Sequence, residues 1–228
     1  MTEVHGNVEG IRRSLLDELA QWYEEEVPPD DFIPQSLLER LCGYSASLNR
    51  EMAVYITRDG EIADIIIGWA DRIDLPAMAL RSRRRRLCMV RCVHTHPRSE
   101  GYLSEVDISA LIATRFDAMC AVGVNAEGRP TSAQAAFLDP DQEGTARKTE
   151  MVLARAIPSA DWIREIIETD ARFKVEDSVA EKHAEQAILV GIDSEQSLKE
   201  LRELAKTAGA ETAATVLQKS WRLGFCQI

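Results

Sequence analysis

The stretch that decides the fold is residues 87–107, LCMVRCVHTHPRSEGYLSEVD. Its apolar first half predicts a strand that ends at His94. A polar loop with Pro97 and Gly101 follows, and Ser104 then suits the N-cap of a helix that has acidic residues in its first turn. The stretch therefore predicts a strand, a loop that folds back, and a helix beside the strand.

Helices and strands are predicted on both sides of this stretch. The residues around Asp59-Gly60 form a hairpin pattern, because Asp-Gly favours a type I′ turn. The second hairpin strand is apolar at nearly every residue, so we expect it inside a sheet. The further predictions are helices over 8–26, 34–48, 104–116 and 158–171, strands over 51–58, 61–69, 118–124 and 131–138, and a surface loop over 139–150.

A second unit is predicted after a charged segment, 171–184, which is a linker or a helix between domains. A strand over 187–192, a helix over 194–208 and a strand over 211–219 form a β-α-β pattern with parallel pairing. Two strands and one helix cannot bury a core alone, so the unit at 185–228 is expected to be incomplete. The fold class is mixed α/β, with a domain at 1–170 before the linker.

The composition limits the classes of function. The chain has 228 residues, of which 45% are hydrophobic and 29% are charged, as in soluble globular proteins. No apolar run is long enough for a membrane span and no signal peptide is present, so a cytoplasmic protein is expected. The net charge of −11 argues against a uniformly cationic nucleic-acid binder.

The cysteines do not suggest a disulfide framework. Their number, five, is odd, and no CxxC pair exists to build a zinc knuckle. We expect the cysteines to be reduced residues of the apolar core.

The strongest chemical signal is His94-Thr95-His96, followed by Asp107. Two histidines two apart on a strand point to the same side, and the loop can bring Asp107 to them. Two imidazoles and a carboxylate suit Zn²⁺ with one open position for water. Glu51 is the candidate general base, and the Ser104 hydroxyl is a candidate to hold a developing oxyanion.

Each of these residues also has a structural interpretation. Ser104 and Asp107 are what an ordinary helix N-terminus prefers, and Glu51 fits an exposed carboxylate at a strand end. In this alternative the domain is a scaffold without metal.

The spacing from Glu51 through His94, His96 and Ser104 to Asp107 resembles the signature of the JAMM (MPN+) metalloproteases. The order of elements over residues 30–140 is also similar to an MPN domain. This resemblance implies a zinc metallopeptidase or isopeptidase with an MPN-like mixed sheet and flanking helices. A peptide or isopeptide substrate would follow.

The stretch AILVGIDSEQSLKELRELAKTAGAETAATVLQK, residues 187–219, resembles the start of the N-terminal domain of HflX GTPases. The motif GNVEGIR at residues 6–12 and VHTH at residues 93–96 resemble the long N-terminal extension of some members. The resemblance implies the N-terminal region of a cytoplasmic GTPase that binds the large ribosomal subunit and helps to split ribosomes.

The sequence departs from that family in one decisive respect. It contains no G-x-x-x-x-G-K-[ST] motif, so GTP and Mg²⁺ are expected only in a full-length relative. After residue 219 the family pattern stops, which predicts a truncated product or a fragment of a longer gene; the alternative is a standalone protein.

One basic patch interrupts the acidic chain. Contact with ribosomal RNA phosphates is one role for it, and a solvated loop is the other interpretation. Its members are Arg81, Arg83, Arg84, Arg85 and Arg86.

Overall fold

The computed structural model describes residues 3–68, 86–180, 186–191, 194–207 and 210–217. The chain divides into two compact units, Met1–Val175 and Glu176–Ile228. Both combine helices with strands, so the predicted mixed α/β class is confirmed.

The first unit is built on a mixed sheet of eight strands. Its order is β1-β3-β2-β4-β5-β6-β7, and β8 pairs with β6. The apolar strand β3 lies inside the sheet, as its sequence predicts. The central strand β4 is antiparallel to β2 and parallel to β5. The strands are β1 (His5–Gly6), β2 (Met52–Thr57), β3 (Ile62–Ile67), β4 (Val90–Pro97), β5 (Ala118–Val124), β6 (Pro130–Leu138), β7 (Ala146–Lys148) and β8 (Val152–Leu153).

Helices cover both faces of this sheet. The helices are α1 (Arg13–Ala20), α2 (Gln35–Leu48), α3 (Glu105–Thr114) and α4 (Ser159–Ala180). One apolar core joins α1, α2 and the start of α4 to the sheet, and a second core joins α3 to the opposite face. Among the described residues, no helix combines the length and the apolar character that a membrane crossing requires.

Two segments differ from the sequence prediction, and in a third, the charged segment predicted as a linker or a helix, the described part is helical. The first helix begins only at Arg13, because Gly10 has a φ of +76° and Arg12 is extended, and it ends in a 3-10 turn, Gln21–Glu24. The predicted surface loop over 139–150 contains β7, which extends the sheet beside β6. The charged segment after residue 170 is helical as far as Ala180, because α4 continues through it.

The second unit is a β-α-β arrangement. It consists of β9 (Gln186–Gly191), α5 (Glu195–Thr207) and β10 (Glu211–Leu217), and the two strands are parallel as predicted. The first strand, β9, was expected to be buried, but it is buried only on the face of the two-stranded sheet that carries Leu189. Leu189 is buried, but Ile188 and Val190 are exposed, because one helix can cover one face of a two-stranded sheet.

Candidate metal centre

The two histidines lie at the carboxyl end of β4 and point to the α3 side of the sheet. The alternation of the strand sends Val93 and Thr95 to the α2 side. Small residues of the neighbouring strands stand beside the imidazole rings. His94 lies opposite Ala53 on β2 and Ala121 on β5, and His96 lies opposite Gly123. The small alanine and glycine residues at these positions leave space for the two imidazole rings at this end of the sheet.

Asp107 reaches the histidines from the first turn of α3. Its Oδ1 atom lies 3.4 Å from His94 Nε2. Its Oδ2 atom accepts hydrogen bonds from the Ser104 backbone N–H and hydroxyl, both at 2.7 Å. The Asp107 N–H in turn donates to Ser104 Oγ, which completes a capping box. The capping interpretation and the metal-ligand interpretation of Asp107 are therefore compatible, since they use different carboxylate oxygens.

The three side chains form a group that could hold a metal ion. One ligand atom from each of His94, His96 and Asp107 lies within 4.8 Å of the others. The two Nε2 atoms are 3.1 Å apart. Ligands at about 2.0–2.2 Å from a tetrahedral zinc are separated by about 3.3–3.6 Å. The observed separations of 3.1 and 3.4 Å are close to this range, so these residues fit such an ion.

The electrostatic state of His94 also suits metal binding. The pKa of His94 is lowered to about 4, chiefly because burial disfavours the charged ring; Asp107 opposes this shift and the neighbouring His96 adds to it. The ring is therefore neutral at pH 7. A metal binds the neutral imidazole, so no proton has to be displaced from this ligand.

Glu51 lies at the edge of the same site. It directly precedes β2 and is only 7% exposed, so the interpretation as an exposed strand-end carboxylate is wrong. Its Oε1 atom is 3.9 Å from His96 Nε2. That distance is too long for a direct hydrogen bond. Glu51 therefore lies beside the two histidines, as the sequence predicted.

The loop that carries Ser104 is fixed by residues that the sequence did not single out. The Gly101 N–H donates to Ser132 Oγ at 3.0 Å, and the Leu103 N–H donates to Gln134 Oε1 at 3.1 Å. Lys148 Nζ donates to the Leu103 carbonyl oxygen at 3.0 Å. These side chains connect the loop to β6 and β7 by hydrogen bonds. For Ser132 and Gln134 the sequence signal is a polar residue that alternates with buried alanines along β6.

The remaining predicted residues are the arginines of the basic patch and the cysteines. Arg81, Arg83, Arg84 and Arg85 lie outside the described residues. Arg86 is exposed, and its carbonyl oxygen accepts a hydrogen bond from Arg115 Nε. Among the cysteines, Cys42, Cys92 and Cys120 are buried and free, as expected of core thiols, Cys88 is free and half-buried, and Cys226 is not described.

Compared with family models, with curated proteins and with solved structures, the chain has no match in any of the three.

Proposed function

We propose that the first unit is a zinc-dependent hydrolase that cleaves a peptide or isopeptide bond. The observation that carries the proposal is the group formed by His94, His96 and Asp107, whose ligand atoms converge within 4.8 Å. Two histidines and one carboxylate are the ligand set of catalytic zinc sites, which keep one coordination position open. The resemblance to the JAMM signature supports the same function and indicates that the bond cleaved is a peptide or isopeptide bond.

Zinc bound there would supply Lewis acidity, which activates water and polarises a carbonyl group. Glu51 accepts the proton from the attacking water, because its carboxylate borders the ligand pair from the opposite strand. It then returns the proton to the leaving amine. His94 and His96 serve only as ligands in this scheme.

Ser104 has two roles in this proposal. In the structure its hydroxyl donates to Asp107 Oδ2, and this bond orients the carboxylate so that Oδ1 faces His94. For the second role, the oxyanion stabilisation that the sequence suggested, the hydroxyl would turn its one proton from Asp107 Oδ2 to the oxyanion.

The substitution Glu51→Gln tests this function. It preserves the shape of the side chain and removes its basicity, so turnover should fall about 100-fold or more while zinc stays bound. The probes are one linear and one isopeptide-linked fluorogenic peptide, measured with zinc content on the same samples. The exposed Glu127→Gln, in the turn between β5 and β6, is the matched control and should keep full activity. A zinc-loaded wild type that cleaves neither peptide, or an active Glu51→Gln variant, would contradict the proposal.

We also propose that the chain binds the large ribosomal subunit, as the N-terminal region of an HflX-like GTPase. The observation that favours this second function is the parallel β9-α5-β10 unit, whose element order is the one that the resemblance implies. The chain itself carries no phosphate-binding motif, so GTP hydrolysis is not part of the proposal.

Co-sedimentation with purified large subunits tests the ribosomal role. The full chain should pellet with the subunit at low salt and dissociate as salt rises, because phosphate contacts release counterions. Replacing the five arginines of residues 81–86 by serine should weaken binding and flatten the salt dependence. A chain that stays in the supernatant at low salt would overturn this role and leave the hydrolase proposal untouched.

A further inference from the structure

We propose that Thr95 and Ser45 are positioning residues that hold Glu51 against the two histidines. The inference rests on the proposed function, since Glu51 has its role only in a hydrolase. Neither hydroxyl touches the metal group. Thr95 stands between His94 and His96 on β4, but its side chain points to the opposite face of the sheet, where Ser45 of α2 lies.

The two hydroxyls form one directed chain of hydrogen bonds. The Met52 N–H donates to Thr95 Oγ1 at 3.0 Å, and the Thr95 hydroxyl donates to Ser45 Oγ at 2.7 Å. The Ser45 hydroxyl donates to the Arg50 carbonyl oxygen at 2.7 Å. These hydrogen bonds therefore fix the backbone of Arg50, which precedes Glu51, and of Met52, which follows it.

These hydrogen bonds lie just beyond the end of the regular pairing between β2 and β4. The pairing of β2 with β4 runs from Thr57 opposite Val90 to Ala53 opposite His94. Beyond that pair, the Thr95 side chain provides the link to Met52. On the other side, the Glu51 carbonyl oxygen accepts from the Gly68 N–H at 2.8 Å. The Glu51 backbone is thus held from β4 and from the end of β3.

Because these groups are buried, loss of their hydrogen bonds would cost free energy of folding. Ser45, Met52 and Thr95 are all fully buried at 0% exposure. Valine at position 95 would keep the shape but leave the Met52 N–H and the Ser45 hydroxyl without this partner, away from water. Serine would keep the hydroxyl. The pair of substitutions therefore separates the hydrogen bond from the packing.

Amide hydrogen exchange in the metal-free protein provides the first readout. Thr95→Val should speed exchange of the Met52 amide at least tenfold, relative to the core amide of Cys120 in the same sample, and Thr95→Ser should leave it within about twofold. Thr57→Val is the matched control. Thr57 lies at the other end of β2 from Met52, and its Oγ1 atom likewise accepts a hydrogen bond from a backbone N–H, that of Glu61. It should not change the Met52 amide.

Turnover of the better fluorogenic peptide by the zinc-loaded protein provides the second readout. Thr95→Val and Ser45→Ala should lower kcat about 10–100-fold with KM and zinc content little changed, and Thr95→Ser should restore kcat. Unchanged Met52 exchange in Thr95→Val, or wild-type kcat despite faster exchange, would overturn the inference while the hydrolase proposal stands. A zinc-free or inactive wild type would instead defeat the proposed function, and the positioning role with it.

Discussion

At the scale of single residues, Asp107 shows how one side chain can serve the fold and the site together. Oδ2 is held by Ser104 in the cap of α3, and Oδ1 faces His94. The cap fixes the direction of the carboxylate, so a ligand for metal is oriented before any metal arrives. This arrangement lowers the entropy that binding would otherwise cost.

The substitution Ser104→Ala tests this double role. Loss of the cap should lower the free energy of unfolding by about 1 kcal/mol, because an N-cap hydroxyl is worth that much. Zinc should still bind, since all three ligands remain, but about tenfold more weakly, because Asp107 Oδ2 loses one of its two orienting hydrogen bonds and keeps only the one from the backbone N–H. Urea unfolding and a zinc competition titration measure the two effects.

Ser194→Ala is the matched control. Ser194 Oγ accepts from the Ser197 N–H at the start of α5, in the second unit. Its loss should weaken that cap and leave zinc affinity unchanged. Equal zinc affinity in Ser104→Ala and wild type would show that the Ser104 hydroxyl does not orient Asp107 for metal binding.

At the scale of elements, the loop from β4 to α3 lies so close to the sheet that only glycine fits. A Cβ atom on Gly101 would come within 2.6 Å of the Ser132 carbonyl oxygen and within 2.7 Å of the Gly123 backbone nitrogen. Backbone atoms cannot move aside as a flexible side chain can. The loop that delivers Ser104 and Asp107 therefore depends on this close approach.

We expect Gly101→Ala to destabilise the protein by about 1–3 kcal/mol and to weaken zinc binding, because the loop must lift away from the sheet. Gly43→Ala, within α2, is the control, since a Cβ there meets nothing within 4 Å. It should raise stability by about 0.5–1 kcal/mol, because alanine favours a helix over glycine. Thermal unfolding with and without zinc measures both, and wild-type zinc affinity in Gly101→Ala would refute the role of the loop.

The long helix α4 is tied to the sheet by a buried ion cluster. Arg58, after β2, pairs with the carboxylates of Asp117 and Asp170, the latter at 2.7 Å. Asp117 is buried, and burial raises its pKa while Arg58 opposes the rise. Removal of the guanidinium would leave the Asp117 carboxylate poorly compensated, while Asp170 would keep its ion pair with Lys174 at 2.8 Å.

Arg58→Met should therefore cost about 3–5 kcal/mol at pH 7. In the variant the folded-state pKa of Asp117 rises further above its unfolded value, so the folded state binds a proton that the unfolded state does not. Stability then increases as pH falls, and the deficit relative to wild type should be smaller at pH 5 than at pH 7. Urea unfolding at both values checks the sign.

Arg164→Met is the surface control for this experiment, because its pair with Asp161 is well exposed on both sides. It should cost less than about 1 kcal/mol at either pH. A pH-independent deficit in Arg58→Met would contradict the electrostatic account of the cluster.

The sequence predicted the features of the site that depend on local spacing. His94 and His96 share a face because strands alternate, and Ser104 and Asp107 begin a helix because their side chains cap it. It did not predict Ser45 as the partner of Thr95, or Gln134 as the partner of Leu103. These contacts join residues 50 and 31 positions apart, and no local pattern encodes which distant hydroxyl or amide will meet them.

At the scale of the whole molecule, the metal group belongs entirely to the first unit. Its ligands come from β4 and α3, and the carboxylate beside them precedes β2. The second unit contributes none of these residues. Substitutions in the metal group can therefore test the proposed hydrolase function separately from the proposed ribosomal role.

Metal content tests the central claim most directly. We predict that the purified chain, after zinc is supplied and excess is removed, holds about one zinc per molecule by elemental analysis. His96→Ala should lose it with unchanged far-ultraviolet circular dichroism, and His5→Ala should keep it, because His5 lies on the edge strand β1, three strands from β4, where its ring bonds to Asp64. A wild type without zinc, or a His96→Ala variant that binds as much zinc as wild type, would contradict the account.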